Sequence, residues 1–495
     1  MNSQQQIKFG AIMSYIAILI NLLSGLIYTP WVIRSIGKAD YGLYTLAMSV
    51  ISLFVFDFGL SSAVTRFISK YLAEKDQNKA NNCLGLVYRL YIGIDIFLLL
   101  LFLGLFFFIP QIYKELTPLE IEKFKIVYVI AVTYSIISFP FIPLNGVLTA
   151  HEKFVQLRLC DIIHKVLTVA LMTFCLILGY GLYALVLVNG VTGIFTILIK
   201  LYYIKKDTKQ QISWHYFNIA EFKSIASYSG WATIKSIAQR CMMNIAPSIL
   251  GYFSGSTEIA VLGIAITLEG YTFTFANAIN GMFLPRVSRS VANNQDILPL
   301  MVKVGRIQIY IVGLIVFGFF LFGSEFIRLW VGDSFSSSYY CALLMIIPSF
   351  FHLPQEIAHQ AIYAMNKIKY ESIVFVGMAI INLILAVILA PRFGATGIGL
   401  SIGISYLLRT FGMDIMYYRK MKIDVLSFFR QAYLVNFPIY IAVFIMGVVL
   451  WLFNLPTGWI ALFVKIATFC LIYLFACVIT MNSYEKDMIK QIIKH

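Results

Sequence analysis

Apolar runs of about 20 residues alternate with short polar segments along the whole chain. As an α-helix, each run is long enough to cross the roughly 30 Å hydrocarbon core of a bilayer. The pattern predicts about fourteen spans, near residues 9–32, 40–66, 82–109, 123–149, 157–178, 181–204, 223–251, 256–284, 303–323, 338–365, 370–390, 393–419, 428–453 and 457–480. We therefore predict an all-α polytopic membrane protein.

Composition supports that fold class and narrows the function. Of 495 residues, 60% are hydrophobic and only 12% are charged, and a soluble domain could not bury so much apolar surface. The longest connections have about 20 residues, too few for a folded catalytic domain. The sequence contains no GxxxxGK[ST] phosphate loop, which excludes an ATP-driven pump of the P-loop kind within this chain. We therefore do not expect an enzyme.

Charge placement predicts the orientation in the membrane. If the N-terminus is cytoplasmic, the inside segments and their flanks carry roughly 25 Lys and Arg against about 7 outside. Both termini are then cytoplasmic, and the acidic connection KELTPLEIE lies outside. The net charge of +15 thus mainly reflects the orientation of the chain in the membrane. We also expect the basic cytoplasmic segments to attract anionic lipid headgroups. Nucleic acid is not an expected partner, because the basic residues are spread over many short loops.

The seven cysteines are scattered and show no CxxC or Cys/His spacing. We therefore predict no disulfide, no metal site and no cofactor. The first apolar stretch is too long for a signal peptide and lacks a small-residue cleavage site, so we expect it to be an uncleaved first span.

The second half of the chain repeats the first. Pro140 and Ala150 recur as Pro354 and Ala364 at an identical spacing. Each repeat has an even number of spans, so the two bundles run in the same direction, as in transporters whose halves rock around a site between them. The repeat predicts a six-helix lobe at 1–205, a cytoplasmic linker at 206–222, a second six-helix lobe at 223–420, and two extra spans with a tail at 421–495. The linker is either an interfacial amphipathic helix or a plain polar connection.

One stretch resembles a known family. Residues 36–76 are similar to the second span and following loop of the Wzx-like polysaccharide flippases, which export O-antigen and wall-polymer units within the multidrug/oligosaccharidyl-lipid/polysaccharide (MOP) superfamily. The matched features are Tyr41-Gly42 at the start of the span, Asp57-x-Gly59 within it, and Arg66 at its end. The LPRVSR stretch at 284–289 is similar to the equivalent point of the second half.

The resemblance implies a V-shaped pair of lobes in the bacterial inner membrane. Its substrate would be an undecaprenyl-diphosphate-linked oligosaccharide, moved to the periplasmic leaflet by alternating access with H⁺ or Na⁺ as coupling cation. Partners would include membrane lipids and other polysaccharide-assembly proteins, and the last two spans would help form a groove for the lipid tail. A multidrug/cation antiporter and a lipid II-type flippase are the alternatives, while a membrane glycosyltransferase or polymerase is disfavoured because no large outer loop exists.

Span seven carries the strongest candidates for substrate binding. Trp231, Lys235 and Gln239 recur every four positions on one helix face, and Arg240 and Asn244 lie on an adjacent face. Intramembrane charges are costly and therefore functional candidates. Arginine suits phosphate, and aromatic rings suit sugars, so this helix can grip a diphosphate headgroup.

Two further charges leave alternatives open. Glu269, in span eight, lies at nearly the depth of Arg240, so a structural salt bridge between them competes with substrate binding. Arg409, in span twelve, is either a cavity cation or one member of an interfacial pair with Asp414.

Four residues are candidates for ion coupling: Asp57, Glu269, Glu356 and His359. Asp57 is the deepest acid of the first lobe, and it either couples transport to protons or caps and orders the bend at Gly59. Glu356 and His359 share a helix face, and histidine can titrate near physiological pH. An interhelical hydrogen bond is the structural alternative for this pair.

Prolines and one arginine complete the predictions. Pro140 and Pro354 are expected to kink spans four and ten at equivalent points, which makes them hinge candidates. Arg89 lies one or two turns inside span three and is expected to reach the cytoplasmic surface, with Asp95 as a conceivable partner.

Overall fold

The computed structural model describes residues 3–214, 216, 218–280, 284–293, 295–365, 367–452, 456–482 and 485–486. All regular structure in these ranges is helical. The helices are α1 (Ser3–Ile36), α2 (Lys38–Phe54), α3 (Leu60–Ala73), α4 (Gln77–Ile112), α5 (Pro118–Ser138), α6 (Leu144–Ala150), α7 (Phe154–Ile177), α8 (Gly181–Asp207), α9 (Ile219–Asn244), α10 (Ala246–Phe253), α11 (Ser256–Asn280), α12 (Leu284–Ala292), α13 (Leu298–Val331), α14 (Ser337–Ile346), α15 (Ser349–His352), α16 (Glu356–Ala364), α17 (Ile368–Met421), α18 (Val425–Ala432), α19 (Phe437–Leu452) and α20 (Trp459–Thr480). The all-α prediction is confirmed.

The predicted count of fourteen spans is not confirmed. Within the described ranges, 11 helical segments are long and apolar enough to cross a membrane. The predicted second span is divided into α2 and α3, and α9 is not among the 11 segments. The predicted eleventh and twelfth spans form one segment, α17, whose backbone breaks sharply at Gly394 (φ 54°, ψ −134°).

Contacts divide the chain into two compact units, residues Met1–Ala260 and Val261–His495. The first unit includes α9 and α10 as well as α1–α8, because α9 packs on α2 and α3, and α10 packs on α2. The lobe boundaries drawn from the repeat, at 1–205 and 223–420, stay a prediction.

The break between α2 and α3 has a local cause. Gly59 adopts a left-handed backbone (φ 70°) immediately before α3, a conformation that glycine tolerates without a steric penalty. The Asp57 carboxylate accepts hydrogen bonds from the backbone N–H of Ser61 and from the hydroxyl of Tyr91, both at 2.9 Å. The carboxylate therefore satisfies an otherwise unpaired donor in the first turn of α3.

The two predicted hinge prolines lie in equivalent places. Pro140 is in the 3₁₀ turn Phe139–Phe141 that follows α5, and Pro354 is in the 3₁₀ turn Leu353–Gln355 between α15 and α16. Proline lacks the N–H that would continue the helix, so a change of helix type at these points is expected. Their role as hinges stays a prediction.

The last two spans are held to α13 within the second unit. An apolar cluster joins α13, α19 and α20 through side chains that include Tyr310, Phe322, Ile439, Phe469 and Tyr473. Two ion pairs link α13 to α20 and to the residues just after it: Glu325–Lys465 at 2.7 Å, and Arg306–Glu485 at 2.5 Å. Because Arg306 and Glu325 lie towards opposite ends of α13, the attachment is fixed at two levels.

Candidate functional site

Helix α9 carries the predicted headgroup-binding face. Trp231 is 40% exposed, and Lys235, Gln239 and Asn244 are half-buried. The helical spacing places the first three on one side of α9. This arrangement offers an aromatic ring, a cation and an amide along about two turns of one helix.

Arg240 has a structural contact that the sequence did not indicate. Its Nη1 donates a hydrogen bond of 2.6 Å to the carbonyl oxygen of Ser52, and the guanidinium lies 5.0 Å from the ring centroid of Phe56. Ser52 is in the last turn of α2, where carbonyl groups lack helical partners and carry partial negative charge. Arg240 therefore caps α2, and Asp57 is near enough to interact with it electrostatically.

A carboxylate–histidine–carboxylate array lies in the second unit. His359 Nδ1 is 3.1 Å from Glu356 Oε1, and His359 Nε2 is 2.6 Å from Glu371 Oε1. Glu371 is fully buried. The structure thus places the two predicted coupling residues together and adds a second acid, so the three side chains can share and hold a proton between them.

The sequence analysis did not single out Glu371, which lies at the very start of the predicted span 370–390. The turn between α16 and α17 is very short, so the first turn of α17 folds back beside α16. An acid four residues after Lys367 is then brought next to a histidine on the preceding helix. A short turn followed at once by an apolar run was the signal available in the sequence.

Glu269 and Arg409 interact within the second unit. Glu269 is 6% exposed, and its electrostatic partner is Arg409. The Arg409 guanidinium lies over the rings of Phe375 and Tyr406, at 5.1 and 5.4 Å from their centroids. Arg409 thus has an acidic neighbour and two aromatic neighbours, while the pairing of Glu269 with Arg240 stays a prediction.

Two neighbouring groups extend this polar region. His352 stacks on Tyr406 with a centroid separation of 5.5 Å, and its Nδ1 lies 3.1 Å from the carbonyl oxygen of Pro348. In the described part of the chain Asp414 forms no ion pair with an arginine, and its buried Oδ1 has no hydrogen-bond partner. No group of three or more metal-binding side chains occurs among the described residues.

An apolar cavity of about 680 Å³ opens in the second unit between α13, the α14–α15 region and α19. Phe317, Phe350, Tyr440 and Phe444 contribute aromatic walls, and Gly447 leaves room on α19. The cavity borders the cluster that attaches the last two spans. Its lining is suited to a hydrocarbon chain and not to a charged group.

The family described as "Polysaccharide biosynthesis protein" matches residues 8–291, more than half of the sequence. The chain belongs to that family. Over 424 residues it is 23% identical to "Uncharacterized membrane protein EpsK" of Bacillus subtilis, with 79% of each protein covered. Over 190 residues it is 22% identical to "Probable low-salt glycan biosynthesis flippase Agl15" of Haloferax volcanii, covering 38% of this chain and 40% of Agl15.

Solved structures of two exporter types share the fold of this polysaccharide biosynthesis protein. The lipid II flippase MurJ, in an inward closed conformation, is similar over 98% of this chain and 100% of its own, with a TM-score of 0.71 and 15% identity. An inward-facing multidrug resistance MATE family transporter of the MOP superfamily is similar over 83% of this chain and 95% of its own, with a TM-score of 0.67 and 14% identity. The chain therefore shares the fold of these two transporters, and its predicted membership of a polysaccharide-exporting family agrees with the family match over residues 8–291.

Proposed function

We propose that this family member is a flippase for an undecaprenyl-diphosphate-linked oligosaccharide, such as an O-antigen, capsule or wall-polymer unit. It would move the lipid-linked sugar out of the cytoplasmic leaflet of a bacterial inner membrane by alternating access, with both termini cytoplasmic. Support comes from the family description, from the name of Agl15 and from the fold shared with MurJ. Other polysaccharide-assembly membrane proteins would supply and consume the substrate.

One observation favours a lipid-linked substrate over a soluble drug. The similarity to MurJ covers 98% of the chain, so it extends over α19 and α20, which lie beyond the two predicted six-helix lobes. Together with α13, these helices carry the apolar cluster, and α13 and α19 line the cavity of about 680 Å³. A polyprenyl tail needs such an apolar path while its headgroup crosses the membrane, whereas a small soluble cation does not.

The headgroup would be held on α9. Lys235 would attract the diphosphate, and Trp231 would stack on a sugar ring. Arg240 would be a weaker contact for the headgroup, because its guanidinium already donates a hydrogen bond to the Ser52 carbonyl oxygen at the end of α2. The first unit thus offers a polar face on α9, and the second unit offers an apolar cavity.

The array of Glu356, His359 and Glu371 would couple transport to a cation gradient, with a proton as the coupling ion. A histidine held between two carboxylates can exchange a proton at modest cost. One carboxylate stabilises the imidazolium, and the other can accept the proton. Asp57 is the weaker coupling candidate, since its carboxylate is already engaged in ordering the start of α3.

The experiment that tests the proposal fills the apolar cavity. In Gly447→Phe the new ring would project towards Leu321, whose side-chain end lies 3.3 Å from the position of an added Cβ, and would occupy the cavity. The matched control is Gly377→Phe on α17, where an added Cβ meets nothing within 4 Å. Binding of a polyprenyl-diphosphate oligosaccharide would be measured by native mass spectrometry.

We expect Gly447→Phe to weaken binding of the lipid-linked sugar at least tenfold and to leave binding of the same sugar without its lipid unchanged. The Gly377→Phe control should bind like the unmodified protein. Equal binding of the lipid-linked sugar by both variants would contradict the assignment of the cavity to the lipid tail.

A further inference from the structure

A second groove, of about 390 Å³, lies in the first unit between α4 and the beginning of α9. Its α4 side is one continuous helix face between Leu86 and Phe97. The residues that line the groove there recur at intervals of three and four positions, as helical geometry requires. Phe222 closes it from α9. Only 17% of the most apolar stretch of α4 is buried, so this apolar helix is exposed along much of its length.

Among the described residues that line this groove, Arg89 is the one that carries a charge. One of its guanidinium nitrogens donates to the carbonyl oxygen of Trp214, which satisfies an N–H but does not neutralise the charge. In the described part of the chain Arg89 has no carboxylate within ion-pair distance, and the anticipated pair with Asp95 is not formed. A cation that has no ion-pair partner among the described residues and lies beside an apolar groove suits an anion from outside the protein.

Arg89 lies at a depth in the membrane at which it can contact the headgroup of a lipid. Helix α4 has 36 residues and would be about 54 Å long, well beyond the roughly 30 Å hydrocarbon core. In the predicted orientation its first turns stand in the cytoplasm, and Arg89 lies about 18 Å from its start. The stretch from Leu86 to Phe97 spans about 16 Å, close to the thickness of one leaflet's hydrocarbon.

We propose that this groove binds an anionic phospholipid of the cytoplasmic leaflet. One acyl chain lies along the α4 face against Phe222, and the phosphate is held by Arg89, whose planar guanidinium suits phosphate oxygens. The lipid is a bound regulator, distinct from the proposed substrate, whose tail is assigned to the cavity in the second unit.

The bound lipid would act on the linker. Ser213 packs its backbone against Gly85, where an added Cβ would lie 2.1 Å from the Ser213 carbonyl oxygen. The Trp214 ring meets that of Tyr88 at a centroid distance of 5.9 Å, and its carbonyl is held by Arg89. An anion at Arg89 thus braces the linker just before α9, which carries the proposed headgroup face, and this regulatory consequence rests on the proposed function.

Lipid binding is tested on the purified full-length protein in detergent, from the shift in melting temperature with added short-chain phosphatidylglycerol or phosphatidylcholine. Gly93→Leu fills the groove at a position where an added Cβ meets nothing within 4 Å, and Gly104→Leu is the matched control on the same helix. Arg89→Gln removes the charge. Bound ligand stabilises the folded state in proportion to its affinity.

We expect phosphatidylglycerol to stabilise the unmodified protein and Gly104→Leu more than phosphatidylcholine does. Arg89→Gln should weaken phosphatidylglycerol binding about fivefold, the effect of one basic residue near an anionic headgroup, and Gly93→Leu should weaken binding of both lipids. Unchanged binding in either variant would overturn the proposal. Inorganic phosphate that stabilises the protein as much as phosphatidylglycerol would also overturn the proposal, because it has no acyl chain. Stabilisation by a polyprenyl phosphate but not by phosphatidylglycerol would overturn it too, because the groove would then be a substrate site. Since the readout is binding and not transport, failure here leaves the flippase proposal standing.

Discussion

Replacing Glu485 tests how the last two helices are attached to the second unit. Its carboxylate is 1% exposed, pairs with Arg306 at 2.5 Å, and accepts hydrogen bonds from the Tyr310 hydroxyl and the Asn482 N–H. Arg306 is 7% exposed and also donates to the Thr480 carbonyl oxygen at 2.7 Å. Glu485→Gln keeps the size of the side chain but leaves the buried guanidinium without its counter-charge.

The cost follows from burial. Removing one partner of a buried ion pair destabilises a protein by about 3–5 kcal/mol, because the remaining charge is uncompensated. Glutamine keeps one acceptor oxygen, so we expect the lower end, about 3 kcal/mol. Since 1.4 kcal/mol corresponds to a tenfold change, the population in which α20 separates from α13 should rise about 100-fold. The pair of Glu325 with Lys465 remains in place and limits the opening to the end nearer Arg306.

Cysteine labelling reports that opening directly. Cys477 on α20 is 1% exposed within the apolar cluster, while Cys470 on the same helix is partly accessible and serves as the internal reference. In detergent, the rate of labelling by a small membrane-permeant maleimide should rise about 100-fold at Cys477 and little at Cys470. The double variant Arg306→Met with Glu485→Leu removes both charges and should restore slow labelling of Cys477. A rise of less than fivefold in Glu485→Gln would refute the buried pair as the attachment.

Three further predictions concern transport and topology. Lys235→Ala should lower transport at least tenfold without loss of folded protein, and Arg240→Ala should also lower the melting temperature because it removes the cap of α2; normal transport in both would rule out the α9 face. Glu371→Gln should weaken the dependence of transport on the proton gradient, measured with and without an uncoupler, and an unchanged dependence would exclude the carboxylate–histidine array from coupling. Cysteines introduced in loop 110–122 should react with an impermeant reagent from outside and those in 205–222 only from inside; the reverse pattern would invert the predicted topology.

The helices and the fold class could be predicted from the sequence because apolar runs of membrane-spanning length are a local signal. The same signal did not show where helices join or divide, and the predicted count of fourteen spans is not confirmed. It does not encode that α17 continues through Gly394 with a break, nor that Gly59 stops one helix and starts another within a single predicted span. The linker also has no helix over the described residues 208–214, where its polar side chains and backbone bond to α4 instead, as in the 2.8 Å contact of the Gln211 N–H with Asn81.

The contacts of individual charges were beyond the sequence because each depends on a distant partner. Arg240 bonds to the carbonyl oxygen of Ser52 at the end of α2, a partner that the sequence pattern did not indicate, while its pairing with Glu269 stays a prediction. Glu371 and Glu485 are buried, although Glu371 directly follows a polar connection and Glu485 lies in the predicted cytoplasmic tail. A buried charge is tolerated only with a partner, and only the tertiary structure identifies that partner.

The central claim, that the protein flips a lipid-linked oligosaccharide, is tested most directly in liposomes. The purified protein would be reconstituted with a polyprenyl-diphosphate oligosaccharide that carries a fluorophore on its sugar, and dithionite would bleach the label exposed on the outer leaflet. We predict that further label becomes accessible with time in liposomes that contain the unmodified protein, and that Lys235→Ala slows this at least tenfold. If the label in the inner leaflet stays protected while the same liposomes exchange a cationic dye for protons, the protein is an antiporter and the account is wrong.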